Sequence, residues 1–258
     1  MQCKNCSTII TQVAHFCPNC GERTSPKRLT VKSVLGTFVS GFYDLDNKLI
    51  KTFRHLFSEP ETVIHDYIKG FRKNYVNVIT YLSISLTLVA IQIFIIKNFY
   101  PEQLLGFEQP PVLGVDLNEI NAKFFEYQGI LVILFTPLSA FASWVVFAQF
   151  KLNFAEHIVL NVYPSAQVFI TWFFVSLLVI GFNFDYITAS IATIPLLLIY
   201  MYYVFKRVFN IVTFDALWRT FIYALLYFVL YMAASFIMFA LYFFYLYRTG
   251  QLILPENG

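Results

Sequence analysis

Five long apolar runs, each free of Asp, Glu, Lys, Arg and His, follow residue 75 of this chain. Because a helix rises about 1.5 Å per residue, about 20 such residues cross a hydrocarbon core of about 30 Å. The pattern predicts five membrane-spanning helices, at about 76–96, 129–150, 158–182, 187–205 and 221–247. Residues 183–186 alone separate the third run from the fourth, which favours a tight hairpin of two full spans and leaves a re-entrant pair as the alternative.

The chain before the first run has a different periodicity, with apolar residues three and four positions apart. That spacing places an apolar stripe on one face of a helix. It predicts two amphipathic helices, one beginning at Thr30 and one that starts near Pro60 and stops at Gly70. Such helices either lie in the interface of the inner leaflet or pack on the membrane helices, and the two arrangements are compatible.

Two Cys-x-x-Cys pairs open the chain, Cys3 with Cys6 and Cys17 with Cys20. Four thiolates satisfy the tetrahedral preference of Zn²⁺, and each pair presents two sulfurs from one tight loop. Gly21 closes the second loop, where a residue that tolerates positive φ is favoured. The spacing favours zinc, with two disulfides, a redox pair and a rubredoxin-like iron site as alternatives. Metal binding would supply most of the folding free energy of so short a segment.

Composition agrees with a membrane protein, since 58% of the residues are hydrophobic and 13% are charged. Ordinary soluble domains are about 25% charged. The predicted fold class is an all-α polytopic membrane protein: a five-helix transmembrane bundle with interfacial amphipathic helices and a small N-terminal zinc ribbon. The predicted domains are the ribbon at 1–24, a basic linker with the amphipathic helices at 25–75, and a transmembrane domain at 76–258.

The basic residues predict an orientation. Five spans place fifteen of the 18 Lys and Arg residues on the side that holds the N-terminus. Because cytoplasmic loops carry the excess of basic residues, we expect a cytoplasmic N-terminus and an extracytoplasmic C-terminus. Metal-binding thiolates also belong in a reducing compartment. The basic side would contact anionic lipids of the inner leaflet.

Several segments of the chain carry a family resemblance. The ribbon, its basic linker, residues 55–61 and residues 67–75 resemble an uncharacterised bacterial family, catalogued as a domain of unknown function. Residues 154–159 are similar to the same family, whereas the basic pair after Gly70 is shifted by one position. The resemblance implies a zinc-ribbon-headed, multi-span protein of the bacterial inner membrane. It implies no catalytic residue.

The cytoplasmic rim carries a second polar set: Lys151, Glu156, His157, Lys206, Arg207 and Arg219. These residues are a candidate site for a phosphate-bearing lipid headgroup or a metal. In the alternative interpretation, Glu156 caps the third span and the other residues form salt bridges at the rim. Glu156 and His157 are adjacent and point to different helix faces, so they form no acid–base pair by themselves.

The predicted spans hold no acidic, basic or His residue of the kind that proton- or ion-coupled transport needs. A four-thiolate site also leaves no open coordination position for chemistry. The favoured hypothesis is therefore a non-enzymatic adaptor or regulator whose zinc ribbon docks a cytoplasmic protein. The alternatives are a lipid- or small-molecule-handling protein or passive channel, and an inner-leaflet enzyme using Glu156 and His157. Nucleic-acid binding is the least favoured, and a homo-oligomer is compatible with the spans.

Overall fold

The computed structural model describes residues 2–3, 5–11, 14–21, 24, 48–104 and 127–249. These residues form α1 (Lys48–Ser58), α2 (Pro60–Ile68), α3 (Val78–Phe99), α4 (Gln128–Val146), α5 (Phe154–Gly181), α6 (Tyr186–Phe209) and α7 (Thr213–Arg248). Short 3₁₀ turns lie at Pro101–Leu104 and Ala148–Phe150. Within the described ranges there is no β-strand, and an isolated bridge pairs Gln2 with Ile9. The predicted all-α class is confirmed.

Helices α3 to α7 are each long and apolar enough to cross a membrane, so this is a multi-pass membrane protein. The third and fourth predicted spans are two separate helices of sufficient length, α5 and α6. Between them, Asn183 adopts a positive φ of 57°. The Asp185 carboxylate then accepts a hydrogen bond from the Thr188 amide at 2.6 Å and caps α6.

Helix α5 begins at Phe154, four residues before the predicted start of the third span. Asn153 is its N-cap: the Asn153 side chain accepts from the Glu156 amide at 2.9 Å, and the Asn153 amide donates to the Glu156 carboxylate at 2.8 Å. This capping box satisfies two backbone donors that would otherwise lack partners. Glu156 and His157 therefore belong to the start of the helix. The charged side chain of Glu156 does not interrupt the helix, because it caps the N-terminus.

Helix α7 begins at Thr213, eight residues before the predicted start of the fifth span. The segment predicted as part of an inner loop contains Asp215 and Arg219, which form an ion pair one helical turn apart at 2.9 Å. Such a pair is compatible with continued helix at the membrane surface. The predicted start of the fifth span, at the first residue of the uncharged run, was therefore too late in the chain.

Helix α5 lies at the centre of the bundle and packs against α1, α2, α3, α4 and α6, with α3 as its most extensive partner. Helix α7 packs against α4 and α6. The buried core gathers where the hairpin α1–α2 meets α5 and α6, and it includes Leu56, Val63, Ile64, Val159, Leu160 and Phe205.

The hairpin formed by α1 and α2 packs on the bundle, as one of the two predicted arrangements requires. Leu56, Val63 and Ile64 are fully buried. Helix α2 ends as predicted at Gly70: the Gly70 amide donates to the Tyr67 carbonyl and the Phe71 amide to the Asp66 carbonyl. With the φ of Gly70 at 93°, this pattern is a Schellman cap. Contact of the hairpin with lipid stays a prediction, and the helix predicted from Thr30 lies outside the described residues until Lys48.

The backbone of Val76, at the entry to the first span, is held from two sides. Its amide donates to the Thr52 hydroxyl of α1 at 3.0 Å, and its carbonyl accepts from the Tyr163 hydroxyl of α5 at 2.7 Å. Thr52, Tyr163 and Val76 are all buried. Because buried backbone groups need partners, these two side chains fix where the hairpin joins the bundle.

Three carbonyls of α1 are also bound by side chains of the bundle. The Gln167 amide donates to the Phe53 carbonyl at 3.1 Å. The Tyr200 and Tyr203 hydroxyls of α6 each donate at 2.9 Å, to the carbonyls of Leu56 and Ser58. The last four carbonyls of a helix lack intrahelical partners, so α6 supplies the C-terminal cap of α1 through Leu56 and Ser58. The contact from α5 binds a carbonyl inside the helix.

We expect Tyr163→Phe to lower the free energy of unfolding by about 1–3 kcal/mol, because it leaves the buried carbonyl of Val76 without this donor. Thermal unfolding of the full-length protein in detergent measures the change. Tyr245→Phe makes the same chemical change at an exposed position of α7 and should leave the melting temperature unaltered. Equal melting temperatures for Tyr163→Phe and the wild type would contradict the assigned role.

Candidate metal centre and basic rim

The four predicted metal ligands lie together. The Sγ atoms of Cys3 and Cys20 are 3.6 Å apart, as are those of Cys6 and Cys17, and all four lie within 4.8 Å of one another. Tetrahedral coordination with metal–sulfur bonds of about 2.3 Å places sulfurs roughly 3.8 Å apart. A disulfide requires about 2.05 Å, and all four cysteines are free thiols. The cluster therefore fits a four-thiolate metal site and does not fit two disulfides.

The two Cys-x-x-Cys loops have the same backbone turn. The Ser7 amide donates to the Cys3 carbonyl at 2.9 Å, and the Gly21 amide donates to the Cys17 carbonyl at 2.8 Å. Ser7 and Gly21 have φ values of 58° and 64°, and each directly follows the second cysteine of its pair. A positive φ was predicted from the sequence at Gly21 but not at Ser7. Ser7 occupies the matching position after the first Cys-x-x-Cys pair, which was a usable signal.

The environment of Cys6 favours the thiolate. The Thr8 hydroxyl lies 3.2 Å from the Cys6 sulfur, and the Asn19 side-chain amide lies 3.8 Å from it. Hydrogen bonds from the Thr8 side chain and backbone lower the pKa of Cys6 from 9.0 to about 6. Because the thiolate is the form that binds metal, this thiol is already suited to coordination near neutral pH.

Lys73, in the connection between α2 and α3, joins the ribbon to the membrane domain. Its ammonium donates to the carbonyls of Cys20 at 3.3 Å and Gly21 at 2.7 Å. A Cβ atom at Gly21 would collide with the Lys73 ammonium, so the glycine also permits this close approach. The ribbon therefore lies at the end of the bundle where the first span begins.

One comparison with known proteins bears on this region. Residues 46–89 match the family described as Protein of unknown function (DUF3667). No curated protein and no solved structure matches the chain. The resemblance inferred from the sequence is thus confirmed for a family without an assigned activity, and a bacterial origin stays a prediction.

The DUF3667 segment, residues 46–89, contains the hairpin α1–α2, Lys73, Val76 and the first half of α3. It therefore includes the residue that contacts the ribbon and the backbone that enters the membrane. Side chains of two other helices bind it from outside: Tyr163 and Gln167 of α5, and Tyr200, Tyr203 and Arg207 of α6. The match thus coincides with the junction between ribbon and bundle.

The predicted rim residues of α6 bind separate partners. Arg207 pairs with Glu61 of α2 through two hydrogen bonds of 3.0 and 2.5 Å. The Lys206 ammonium donates to the Thr213 hydroxyl at 2.9 Å and so links α6 to the start of α7. Both contacts join neighbouring elements at the surface of the bundle.

The remaining basic rim residues lie near the end of α4 and the start of α7. Arg219 donates to both carboxylate oxygens of Asp215 at 2.9 Å and to the Val146 carbonyl at 3.0 Å. Lys151 closes the 3₁₀ turn after α4 with a φ of 57°. The described contacts do not bring the six rim residues into one cluster, and headgroup binding there stays a prediction.

Glu156 and His157 also have separate partners. Whereas Glu156 is committed to the capping box, the His157 Nδ1 atom lies 3.0 Å from the Ser143 hydroxyl of α4. The Asn161 amide donates to the same hydroxyl at 2.7 Å, and the Tyr223 hydroxyl donates to the Asn161 side-chain oxygen at 3.0 Å. This buried chain connects α4, α5 and α7. Sequence reasoning missed Ser143 and Tyr223, because nothing in an apolar run marks which hydroxyl meets a neighbouring helix.

We expect the purified protein to hold one metal ion per chain at the ribbon. The double variant Cys17→Ser with Cys20→Ser should not bind the ion, because it lacks two of the four ligands. Elemental analysis by mass spectrometry measures the metal-to-protein ratio. His15→Ala, at an exposed position between the cysteine pairs, should keep the metal. A metal-free wild type, or a double variant that retains full occupancy, would exclude this centre.

Ser143→Ala should destabilise the bundle by about 1–3 kcal/mol, because two buried polar groups lose a partner at once. Ser176→Ala is the matched control, since Ser176 is equally buried but bonds to the Phe173 carbonyl of its own helix. Thermal unfolding in detergent compares the two variants. Equal melting temperatures would show that the Ser143 chain does not hold α4 and α5 together.

Proposed function

We propose that this protein is a non-enzymatic adaptor or regulator of the bacterial cytoplasmic (inner) membrane, whose zinc ribbon docks a cytoplasmic protein. The observation that carries the proposal is a closed four-thiol cluster held against the membrane domain by Lys73. A closed site has no position for a substrate, so the ribbon suits recognition better than catalysis.

Zinc is the metal that best suits this ligand set. Four thiolates in a tetrahedral arrangement favour Zn²⁺ or iron, and zinc has no redox chemistry that would alter the ribbon. The sulfur spacing of 3.6 Å in both close pairs agrees with metal–sulfur bonds of about 2.3 Å. The metal would then stabilise a folded docking module.

The ribbon exposes apolar side chains that a partner could cover. Ile9 is 81% exposed and Phe16 is 54% exposed. The described core of the ribbon is small, with Cys3, Ile10 and Cys17 as its buried residues. Large exposed apolar side chains on so small a module favour a protein interface, and aromatic side chains are frequent anchors in such interfaces.

The charge distribution supports a cytoplasmic ribbon. Lys73 places the ribbon at the end of the bundle where α3 begins, and this is the side with fifteen of the 18 Lys and Arg residues. An excess of basic residues is typical of the cytoplasmic side of a membrane protein. The ribbon would therefore face cytoplasmic proteins and anionic inner-leaflet lipids.

A crosslinking pull-down from native membranes tests the docking role. We expect Ile9→Ser with Phe16→Ser to retain the metal and lose the crosslinked cytoplasmic protein, and Cys17→Ser with Cys20→Ser to lose both. Val212→Ser changes an exposed apolar residue between α6 and α7 and serves as the control. Variants are matched for membrane abundance and compared by quantitative mass spectrometry. An unchanged set of crosslinked proteins in all variants would contradict docking by the ribbon.

A further inference from the structure

Three buried polar atoms in the DUF3667 segment lack a hydrogen-bond partner among the described residues: Tyr67 Oη, Asn77 Nδ2 and Thr80 Oγ1. Their residues are 2%, 8% and 2% exposed. An unsatisfied buried polar atom costs about 1–3 kcal/mol, so three in one short segment call for a physical explanation. A ligand that accepts hydrogen bonds would supply one.

The three atoms belong to the same end of α3. Asn77 is the N-cap, and its side-chain oxygen accepts from the Ile79 amide at 2.9 Å, which leaves the Nδ2 protons for another acceptor. Thr80 follows three positions later, and residues at this spacing share a helix face. The Tyr67 hydroxyl, from α2, lies beside the Asn77 side chain, which opposes the rise in the pKa of Tyr67, although the two groups do not reach hydrogen-bond geometry.

Thr80 does not make the hydrogen bond that is usual for a threonine inside a helix. A threonine inside a helix commonly donates to the carbonyl four residues earlier. Here that carbonyl belongs to Val76 and accepts the Tyr163 hydroxyl at 2.7 Å. The Thr80 hydroxyl does not share this acceptor and has no partner among the described residues.

The surroundings of these atoms favour an anion. An Asn Nδ2 atom can only donate hydrogen bonds, and burial raises the pKa of Tyr67 to about 12, so that its hydroxyl also stays a donor. The Arg72 guanidinium lies 5.2 Å from the centre of the Tyr67 ring and opposes this rise in pKa with its positive charge. The N-terminus of the 22-residue helix α3 adds a partial positive charge.

We propose that the N-terminus of α3 binds a phosphate group, with Tyr67, Asn77 and Thr80 as donors and Arg72 as the counter-charge. Helix N-termini bind phosphate in this way in many proteins. Because this end of α3 begins a membrane span on the basic side, the headgroup of an anionic lipid is the natural carrier of the phosphate, and free phosphate is the other source. Arg72 is half-buried, and its Nε atom donates to the Tyr67 carbonyl at 3.5 Å, which holds the guanidinium against the Tyr67 ring beside these donors. The site does not depend on the proposed docking role.

Thermal unfolding of the full-length protein tests this site. The protein in neutral detergent is titrated with phosphatidylglycerol, with zwitterionic phosphatidylcholine, and with inorganic phosphate alone. The test variant is Tyr67→Phe with Thr80→Val, which preserves shape and net charge. Thr87→Val is the control, since Thr87 lies on α3 and donates to the Ser83 carbonyl.

We expect phosphatidylglycerol to raise the melting temperature of the wild type and of Thr87→Val. Its apparent affinity for the double variant should fall by roughly tenfold or more, because two hydrogen bonds to a charged ligand are lost. In phosphatidylcholine the double variant should melt at the wild-type temperature or above it, since the change removes two unpartnered buried polar atoms. A purely structural role would lower its melting temperature in every lipid.

A shift produced by inorganic phosphate and lost in the double variant would support the same site with free phosphate as its ligand. Equal phosphatidylglycerol shifts in all three proteins, or no shift in the wild type, would overturn the proposal and leave an internal water as the occupant. Arg72→Gln provides a second variant that removes only the counter-charge. Because Arg72 also contacts Tyr67, the two lipids are compared within this variant. Its stabilisation by phosphatidylglycerol over phosphatidylcholine should be smaller than that of the wild type, and an equal difference would overturn the site.

Discussion

The fold depends on how the peptide groups of Val76 are satisfied where the chain enters the membrane. The hydrocarbon core contains no water, so backbone groups that lie outside a helix need partners from the protein itself. Thr52 of α1 and Tyr163 of α5 provide them, at 3.0 and 2.7 Å. Because the partners come from two different elements, the same residue fixes the hairpin α1–α2, the first span and the central helix relative to one another.

Helix α5 distributes its polar side chains over two sides of the bundle. On one side, Tyr163 donates to the Val76 carbonyl before α3. Gln167 donates to the Phe53 carbonyl of α1 and accepts a hydrogen bond from the Tyr81 hydroxyl of α3. On the other side, His157 and Asn161 are hydrogen-bonded to Ser143 of α4, and Asn161 accepts a hydrogen bond from Tyr223 of α7. These contacts add direction to a core in which apolar packing alone would specify helix orientation weakly.

Much of this architecture could be predicted from the sequence, because length and hydropathy decide which segments can cross a bilayer. The five spans, the stop at Gly70 and the four-cysteine cluster follow from local patterns. The starts of α5 and α7 could not be predicted in this way, because charged residues such as Glu156 and Arg219 lie in helical turns that precede the uncharged runs. The partners of Val76 lie 24 and 87 positions away, and no local pattern connects a hydroxyl to a particular carbonyl at that distance.

The central claim is that Thr52 and Tyr163 act together on the backbone of one residue, Val76, and a double-mutant cycle measures this directly. Thr52→Val and Tyr163→Phe are introduced singly and together, and the free energy of unfolding is measured for each. Since loss of either bond frees the same segment, the account predicts that the double variant loses less than the sum of the single losses, by about 0.5–3 kcal/mol. Additive losses would show that the two hydrogen bonds are independent and would contradict the account.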